Sequence, residues 1–318
     1  MSNAIVIKNL SKRYKDGIGV LALDNVSLSI PKGAFFGLIG ANGAGKSTMI
    51  NIIAGMVKKT SGTVQLDGYD LESDLLMFRR SVGIVPQELV FDPFFTVSDI
   101  LYYYAGFYGV PKKERRVKEI MEMLGIDNKA NVKPRGLSGG MKRRLLIAKA
   151  IIHSPPIVIF DEPTAGLDIE SRHRLWECIE NINKSGVTIM LTTHYMEEIE
   201  RFCSTIAILD SGNIIVNCSK KALFEQFGTK SLTLELNKAL SDNVFSRLAH
   251  YGIERVGDKM ICIKSVDAGC NRDFSLTQIV KELDCEGLEV IDVNSLESNV
   301  EEIVMELINR NRQIGNSQ

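Results

Sequence analysis

The chain has 318 residues, 45% hydrophobic and 24% charged, a balance ordinary for folded protein. Its 38 Lys+Arg and 39 Asp+Glu leave a net charge of -1, which argues against a broadly basic nucleic-acid surface and a polybasic membrane anchor. No run approaches the ~18 apolar residues of a membrane-crossing helix. The opening MSNAIVIKNLSKRY lacks the basic-then-apolar order of a signal peptide. The six cysteines (Cys178, Cys203, Cys218, Cys262, Cys270, Cys285) show no CxxC or paired Cys/His spacing, so they read as buried or idle thiols in a reducing compartment and not as a disulfide frame or zinc site. The expectation is a cytoplasmic globular chain of about two domains, with no nucleic-acid partner.

In chain order, the first clear element is the apolar run 34–39, AFFGLI, read as a strand buried on both faces. Gly40-Ala41-Asn42-Gly43-Ala44-Gly45-Lys46-Ser47 follows it and matches GxxxxGK[ST], a phosphate-binding loop. A helical pattern over 46–56 comes next, so the strand–loop–helix context that the motif requires is present. Glycines let backbone N–H groups converge on phosphate oxygens, and the helix start adds its positive end. The expected nucleotide set is Gly40, Asn42, Gly43, Ala44, Gly45, Lys46, Ser47 and Thr48, with Lys46 on the β/γ-phosphates and the Ser47 hydroxyl on Mg²⁺.

Residues 88–136 interrupt the alternation of strand and helix and read as a helical insertion, with helices at 97–108 and 112–124. Eight aromatics fall within 91–108, including Tyr102, Tyr103, Tyr104, Phe107 and Tyr108. They suit either the core of a small helical subdomain or a partner-docking surface. Leu137-Ser138-Gly139-Gly140-Met141 then opens a helix read over 141–153. Ser138 is a good N-cap, and the helix start it opens is a second anion-directed site. One nucleotide needs only the first such site, so a second copy's nucleotide would explain Ser138, Gly139 and Gly140.

The strand 157–160 runs into Asp161-Glu162. Asp161 is placed to hold Mg²⁺ and Glu162 to orient or deprotonate a water. Further helices are read at 171–184 and 195–202, and strands at 187–192 and 205–209. Strands alternating with helices imply a mostly parallel sheet with helices on both faces. After about residue 220, sixteen acidic and eleven basic residues mark a small acidic α+β appendage. Its strands are read at 231–236, 259–265 and 288–293. Helical patterns cover 243–252 and 275–283, and a last helix carries Val300, Ile303, Val304, Leu307 and Ile308 on one face.

The phosphate loop, LSGG and IVIFDEPTAGLD together resemble the nucleotide-binding subunit of ABC transporters over residues 4–220. LSGGMKRRLLIAKAII, VPQELVFDPFFTV and the appended domain look most like ATPases of the ABC-2 exporter type, which serve drug, polysaccharide and haem export. The resemblance implies a P-loop ABC ATPase domain over 1–220, with a helical subdomain at about 88–155, and an accessory α+β domain over 221–318. It implies that Tyr14 stacks on adenine and that Gln87 reaches Mg²⁺ and the attacking water. It also implies that Asp168 contacts an opposite subunit and that His194 contacts the γ-phosphate. Position 141 is Met where the commonest family signature has Gln, a change shared by exporter-type members. Two copies packed head-to-tail around two ATP, a separate membrane permease and residence at the cytoplasmic face of the membrane are further implications. A non-transport ABC ATPase, a regulatory ATP switch and an importer ATPase are the alternatives.

Overall fold

The computed structural model describes residues 2–14, 19–265 and 276–315. They divide into two compact units, Met1–Cys218 and Ser219–Gln318. Cys270 and Ser275 lie outside the described residues.

The first unit begins with strands β1 (Asn3–Arg13), β2 (Leu21–Pro31) and β3 (Phe35–Ile39), then helix α1 (Lys46–Ile53). Next come β4 (Ser61–Leu66), β5 (Tyr69–Asp70), α2 (Leu75–Arg80) and β6 (Val82–Val85). Helices α3 (Val97–Phe107), α4 (Val117–Met123) and α5 (Gly139–Ile151) follow. The unit closes with β7 (Ile157–Asp161), α6 (Ile169–Lys184), β8 (Thr188–Thr192), α7 (Met196–Phe202), β9 (Thr205–Asp210) and β10 (Asn213–Ser219).

Six strands form one sheet in the order β10-β9-β3-β8-β7-β6, and the pairs β6–β7, β7–β8, β8–β3 and β3–β9 are parallel. The expected parallel α/β core is therefore present. Its central strands β3, β7, β8 and β9 are short apolar runs buried on both faces, so Phe36 and Leu38 face one layer while Phe35 faces the other. Phe35 meets Trp176 of α6 and Phe202 of α7, at ring-centroid distances of 6.3 and 5.9 Å.

A second, antiparallel sheet in the order β2-β1-β4-β5 was not anticipated from the sequence. Its core residues Ile5, Ile7, Leu10, Leu23, Val26, Leu28 and Ile30 share one hydrophobic cluster with Met49, Ile50, Ile52 and Ile53 of α1 and with Phe36, Leu38, Ile159 and Met190 of the larger sheet. The helix that follows the phosphate loop is thus clamped between two sheets. Burying a side chain of this size contributes about 1.5–3 kcal/mol, so the loop rests on a rigid base.

The expected helix 112–124 is corrected: residues Lys112–Glu114 form a 3-10 turn, and α4 starts only at Val117. The guanidinium of Arg115 turns inward, donates to Val110 O and Tyr102 O at 3.1 Å each, and lies 4.2 Å from the Tyr102 ring centroid. That leaves Arg115 extended between the two pieces.

The second unit runs α8 (Lys220–Phe227), β11 (Lys230–Leu236), α9 (Asp242–Leu248), β12 (Ile253–Gly257), β13 (Met260–Ser265), α10 (Leu276–Cys285), β14 (Val290–Glu297) and α11 (Val300–Gly315). Its antiparallel sheet has the order β12-β13-β11-β14. Leu234, Leu236 and Ile261 of the sheet pack with Val244 and Leu248 of α9 and with Ile279 and Leu283 of α10. Among the described residues, no helix is long and apolar enough to cross a membrane.

Candidate functional site

The loop 40–45 leaves the C-terminal end of β3, the end of a parallel strand where ligands bind in open α/β sheets. Gly45 caps α1 in the left-handed region, with φ 112° and no side-chain cap bond. The N–H groups opening α1 have no partner inside the helix and point toward the loop, as phosphate binding requires. A Cβ on Gly45 would lie 2.5 Å from Ala22 O and 2.8 Å from Leu23 Cδ2. A Cβ on Gly40 would run into Leu209 O, and Ala44 is buried beside it, so these two residues close the back of the loop against β9. Gly45→Ala is expected to cost more than about 1 kcal/mol, since Ala at a positive φ is strained. It is also expected to weaken nucleotide binding at least ~10-fold (a thermal melt and a nucleotide titration check both).

A cavity of about 820 Å³ sits over this loop, lined among others by Asn42, Gly43, Lys46, Ser47 and Thr48 together with Gln87, Asp161, Glu162 and His194. Residues far apart in the chain thus meet at one opening. Lys46 Nζ donates to Gly40 O at 2.5 Å and Ala41 O at 3.1 Å, which holds the ammonium inside the loop. Burial pushes its pKa down from the ordinary lysine value, and the charges of Glu162 and Asp161 pull it back up.

The carboxylates are fixed by the strand beside them. Asp161 ends β7 and accepts from Thr192 Oγ1 at 2.5 Å. Glu162 is left-handed, with φ 48°, and its N–H donates to Thr192 O at 3.0 Å. A non-glycine residue in this region costs of order 1–3 kcal/mol and is held by its surroundings. Glu162 Oε2 accepts from Gln87 Nε2 at 3.1 Å and lies 3.3 Å from His194 Nδ1.

Two residues that the sequence reading did not single out hold this arrangement, and two more wall the cavity. Thr192 of β8 pins the Asp161 carboxylate and the Glu162 backbone N–H, and Val20 and Leu21 supply an apolar wall of the cavity. The second holder, Arg143 of α5, is only 3% exposed and donates to Pro86 O and Gln87 O at 2.9 Å each. A basic residue on the helix of LSGG therefore ties down the loop bearing Gln87. Arg143 lies in the basic run KRR, but nothing in the run marks which residue turns inward.

Ser138, Gly139, Gly140 and Asp168 do not line the cavity. Ser138 caps α5 by accepting the Met141 N–H at 3.3 Å, and Asp168 caps α6 by accepting the Ser171 N–H at 2.8 Å. The two helix starts are neighbours, since a Cβ on Gly140 would meet Ser171 Oγ at 3.0 Å, while Gly139 faces open space. Tyr14 is 38% exposed just past β1 and outside the lining, and its N–H donates to O of Val20, which does line it.

The oxygen donors of Ser47, Gln87 and Asp161 line one cavity and include a single carboxylate. That set fits Mg²⁺, which takes one or two carboxylates, waters and substrate phosphates rather than an all-protein cage.

The ABC transporter family model matches residues 23–165. The linearmycin resistance ATP-binding protein LnrL of Bacillus subtilis is 34% identical over 90% of this chain and 93% of its own length. The Nod factor export ATP-binding protein I of Burkholderia thailandensis is 39% identical over 70% of this chain and 72% of its own. A solved dimeric post-hydrolysis state of an ATP-binding cassette, bound to ADP and Pi, is 32% identical with a TM-score of 0.61, covering 68% of this chain and 98% of that one. With the phosphate loop, paired carboxylates and LSGG helix in place, the chain belongs to the family of ABC transporter ATP-binding proteins, and it is an ATPase.

Proposed function

We propose that the chain is the motor subunit of an ABC-2 type exporter, working as a head-to-tail homodimer beneath a separate membrane permease. One observation carries the dimer: the cavity gathers the phosphate loop, Asp161, Glu162, Gln87 and His194, while Ser138, Gly139 and Gly140 stand outside it. A second helix start built for anions but turned away from its own nucleotide suits the nucleotide of another copy. The solved relative is itself a dimer, and both named relatives serve export or resistance.

In this reading Tyr14 stacks on adenine, and the amides of residues 40–48 with Lys46 cradle the phosphates. Ser47, Asp161 and Gln87 hold Mg²⁺, which supplies charge neutralisation at the β/γ-phosphates when bound. Glu162 takes the proton of the attacking water, and His194 contacts the γ-phosphate and fixes the Glu162 carboxylate. Ser138, Gly139 and Gly140 of one copy close on the ATP of the other, and Asp168 meets the opposite subunit. ATP binding closes the dimer because the closed state makes contacts the open one lacks.

A groove of about 760 Å³ between α2, α3 and α5 supports the permease contact, because Met56, Leu76 and Phe107 in its lining are 70%, 74% and 81% exposed. The aromatics of 91–108 divide between the two readings. Tyr102 lies under Arg115, and Tyr108 stacks on His153 at 3.7 Å, so both are packed within the unit, whereas Phe107 is free to dock. With the permease reconstituted in vesicles, Phe107→Glu is expected to weaken complex formation about 30-fold, the cost of losing an interface anchor. The basal ATPase of the isolated chain should stay unchanged. Purified chain plus the membrane protein encoded beside it should extrude substrate on ATP addition; ATP hydrolysis with no such complex would point to a non-transport ATPase.

A further inference from the structure

Glu198 is a carboxylate that none of the roles above uses, and it is only 4% exposed. It sits in the first turn of α7, shortly after His194. Its Oε1 accepts from Thr164 Oγ1 at 2.7 Å and Trp176 Nε1 at 3.2 Å, and its Oε2 accepts from Thr193 Oγ1 at 2.7 Å. These donors come from three separate segments. Thr164, fully buried, lies in the loop from Glu162 to Asp168. Trp176 belongs to α6, which Asp168 caps. Thr193 immediately precedes His194, and its Oγ1 accepts the Tyr195 N–H at 3.0 Å.

A second contact joins the same elements. The Arg172 guanidinium of α6 lies 4.4 Å from the Tyr195 ring centroid, and that ring lies 4.0 Å from the His194 ring. An apolar side chain would fill the space of Glu198 without the cost of desolvating a carboxylate. Packing alone therefore gives no reason for an acid here, whereas three hydrogen bonds with fixed directions do.

We propose that Glu198 is a positioning residue that ties the loop 164–168 and α6 to His194. A displacement of Asp168 at the subunit interface is thereby passed to the histidine that faces Glu162. This inference rests on the dimer reading above, since that reading puts Asp168 at the interface.

The hydrogen-bond chemistry selects the variant. In Glu198→Gln the amide oxygen must stay toward the Trp176 N–H, which only donates. The amide nitrogen then faces Thr193, whose hydroxyl proton loses its acceptor. The change is close to isosteric and disturbs only the arm that leads to His194: the amide N–H can still donate to Thr193 Oγ1, but the hydroxyl proton is orphaned. Thr193→Val removes that arm outright, together with the acceptor of the Tyr195 N–H.

The test is Mg²⁺·ATP hydrolysis by the full chain, in steady state and single turnover, with melting temperatures measured alongside. Glu198→Gln and Thr193→Val should each lower kcat on the order of 10-fold, as a small misplacement of a catalytic group does. KM should stay within about two-fold. Glu198→Gln should add no further loss to His194→Ala or to Asp168→Ala, because groups acting as one unit are not additive. Wild-type kcat in Glu198→Gln and Thr193→Val, or additive losses in either double variant, overturns the inference. If His194→Ala itself turns over normally, the role of His194 fails first and the inference falls with it. If His194→Ala is slow and the losses add, only the inference falls.

Discussion

Glu162→Gln is expected to slow ATP turnover about 10²-fold or more while leaving ATP binding intact, because a positioned general base contributes typically 10²–10⁴-fold. The substitution keeps the size of the side chain and the left-handed backbone turn that aims it. Its amide oxygen still accepts one bond from Gln87 or His194, whose donors lie 3.1 and 3.3 Å from the native Oε2. What is lost is the ability to take a proton from water. In the function proposed above, nucleotide affinity comes from elsewhere, from the loop amides and from Lys46, which is held on Gly40 O and Ala41 O. The loss should therefore fall on kcat and not on KM, the pattern of an interaction made only in the transition state. Phosphate release and nucleotide retention measured on the same sample check it: the variant should retain ATP rather than ADP. Near-normal phosphate release would remove Glu162 from the role of base and leave Asp161, which Thr192 already engages, as the remaining carboxylate on that edge.

The parts of this structure readable in the sequence are those where a local run of residues carries its own physics. AFFGLI and IVIF are short and apolar throughout, which only strands buried on both faces require. Gly45 sits at φ 112°, a backbone that few other residues tolerate, so the glycine spacing of the loop is visible at once. The antiparallel sheet escaped for a physical reason. Its strands β1 and β2 alternate, but the register shifts between Ile7 and Leu10, and Asn9 and Asn25 take φ 50° and 52° there. Such bulges break the period of two that marks a half-buried strand. Helix 112–124 was overread because nothing in PKKERRV tells that the guanidinium of Arg115 will turn inward onto Val110 O and Tyr102. Glu162 was read from the strand that ends in Asp-Glu, and Gln87 and His194 from the family resemblance. Thr192, Arg143 and Glu198 hold those residues through contacts between distant segments, and tertiary contacts of that kind leave no spacing to read.

Ser138→Arg is expected to abolish ATP-driven association of the Glu162→Gln background at concentrations where the parent is fully dimeric. Ser138 caps α5 through the Met141 N–H at 3.3 Å, and losing that cap costs about 0.5–2 kcal/mol of stability. A domain with the usual 5–15 kcal/mol tolerates that loss, so the chain should remain folded. Its own nucleotide site should be untouched as well, because Ser138 does not line the cavity that holds Lys46 and Glu162. ATP binding by the separated chain is thus expected to stay within about three-fold, and any larger effect belongs to a second copy. In the proposed dimer the long side chain would occupy the space meant for the other subunit's γ-phosphate. Ser138→Ala separates the two contributions: it removes the cap without adding bulk, and should weaken the dimer far less. Sedimentation with ATP reads the association directly, and a mixed dimer carrying one arginine should keep one competent site. Normal association of Ser138→Arg, or full activity at both sites of the mixed dimer, would remove LSGG from the interface and leave this helix start as a cap alone.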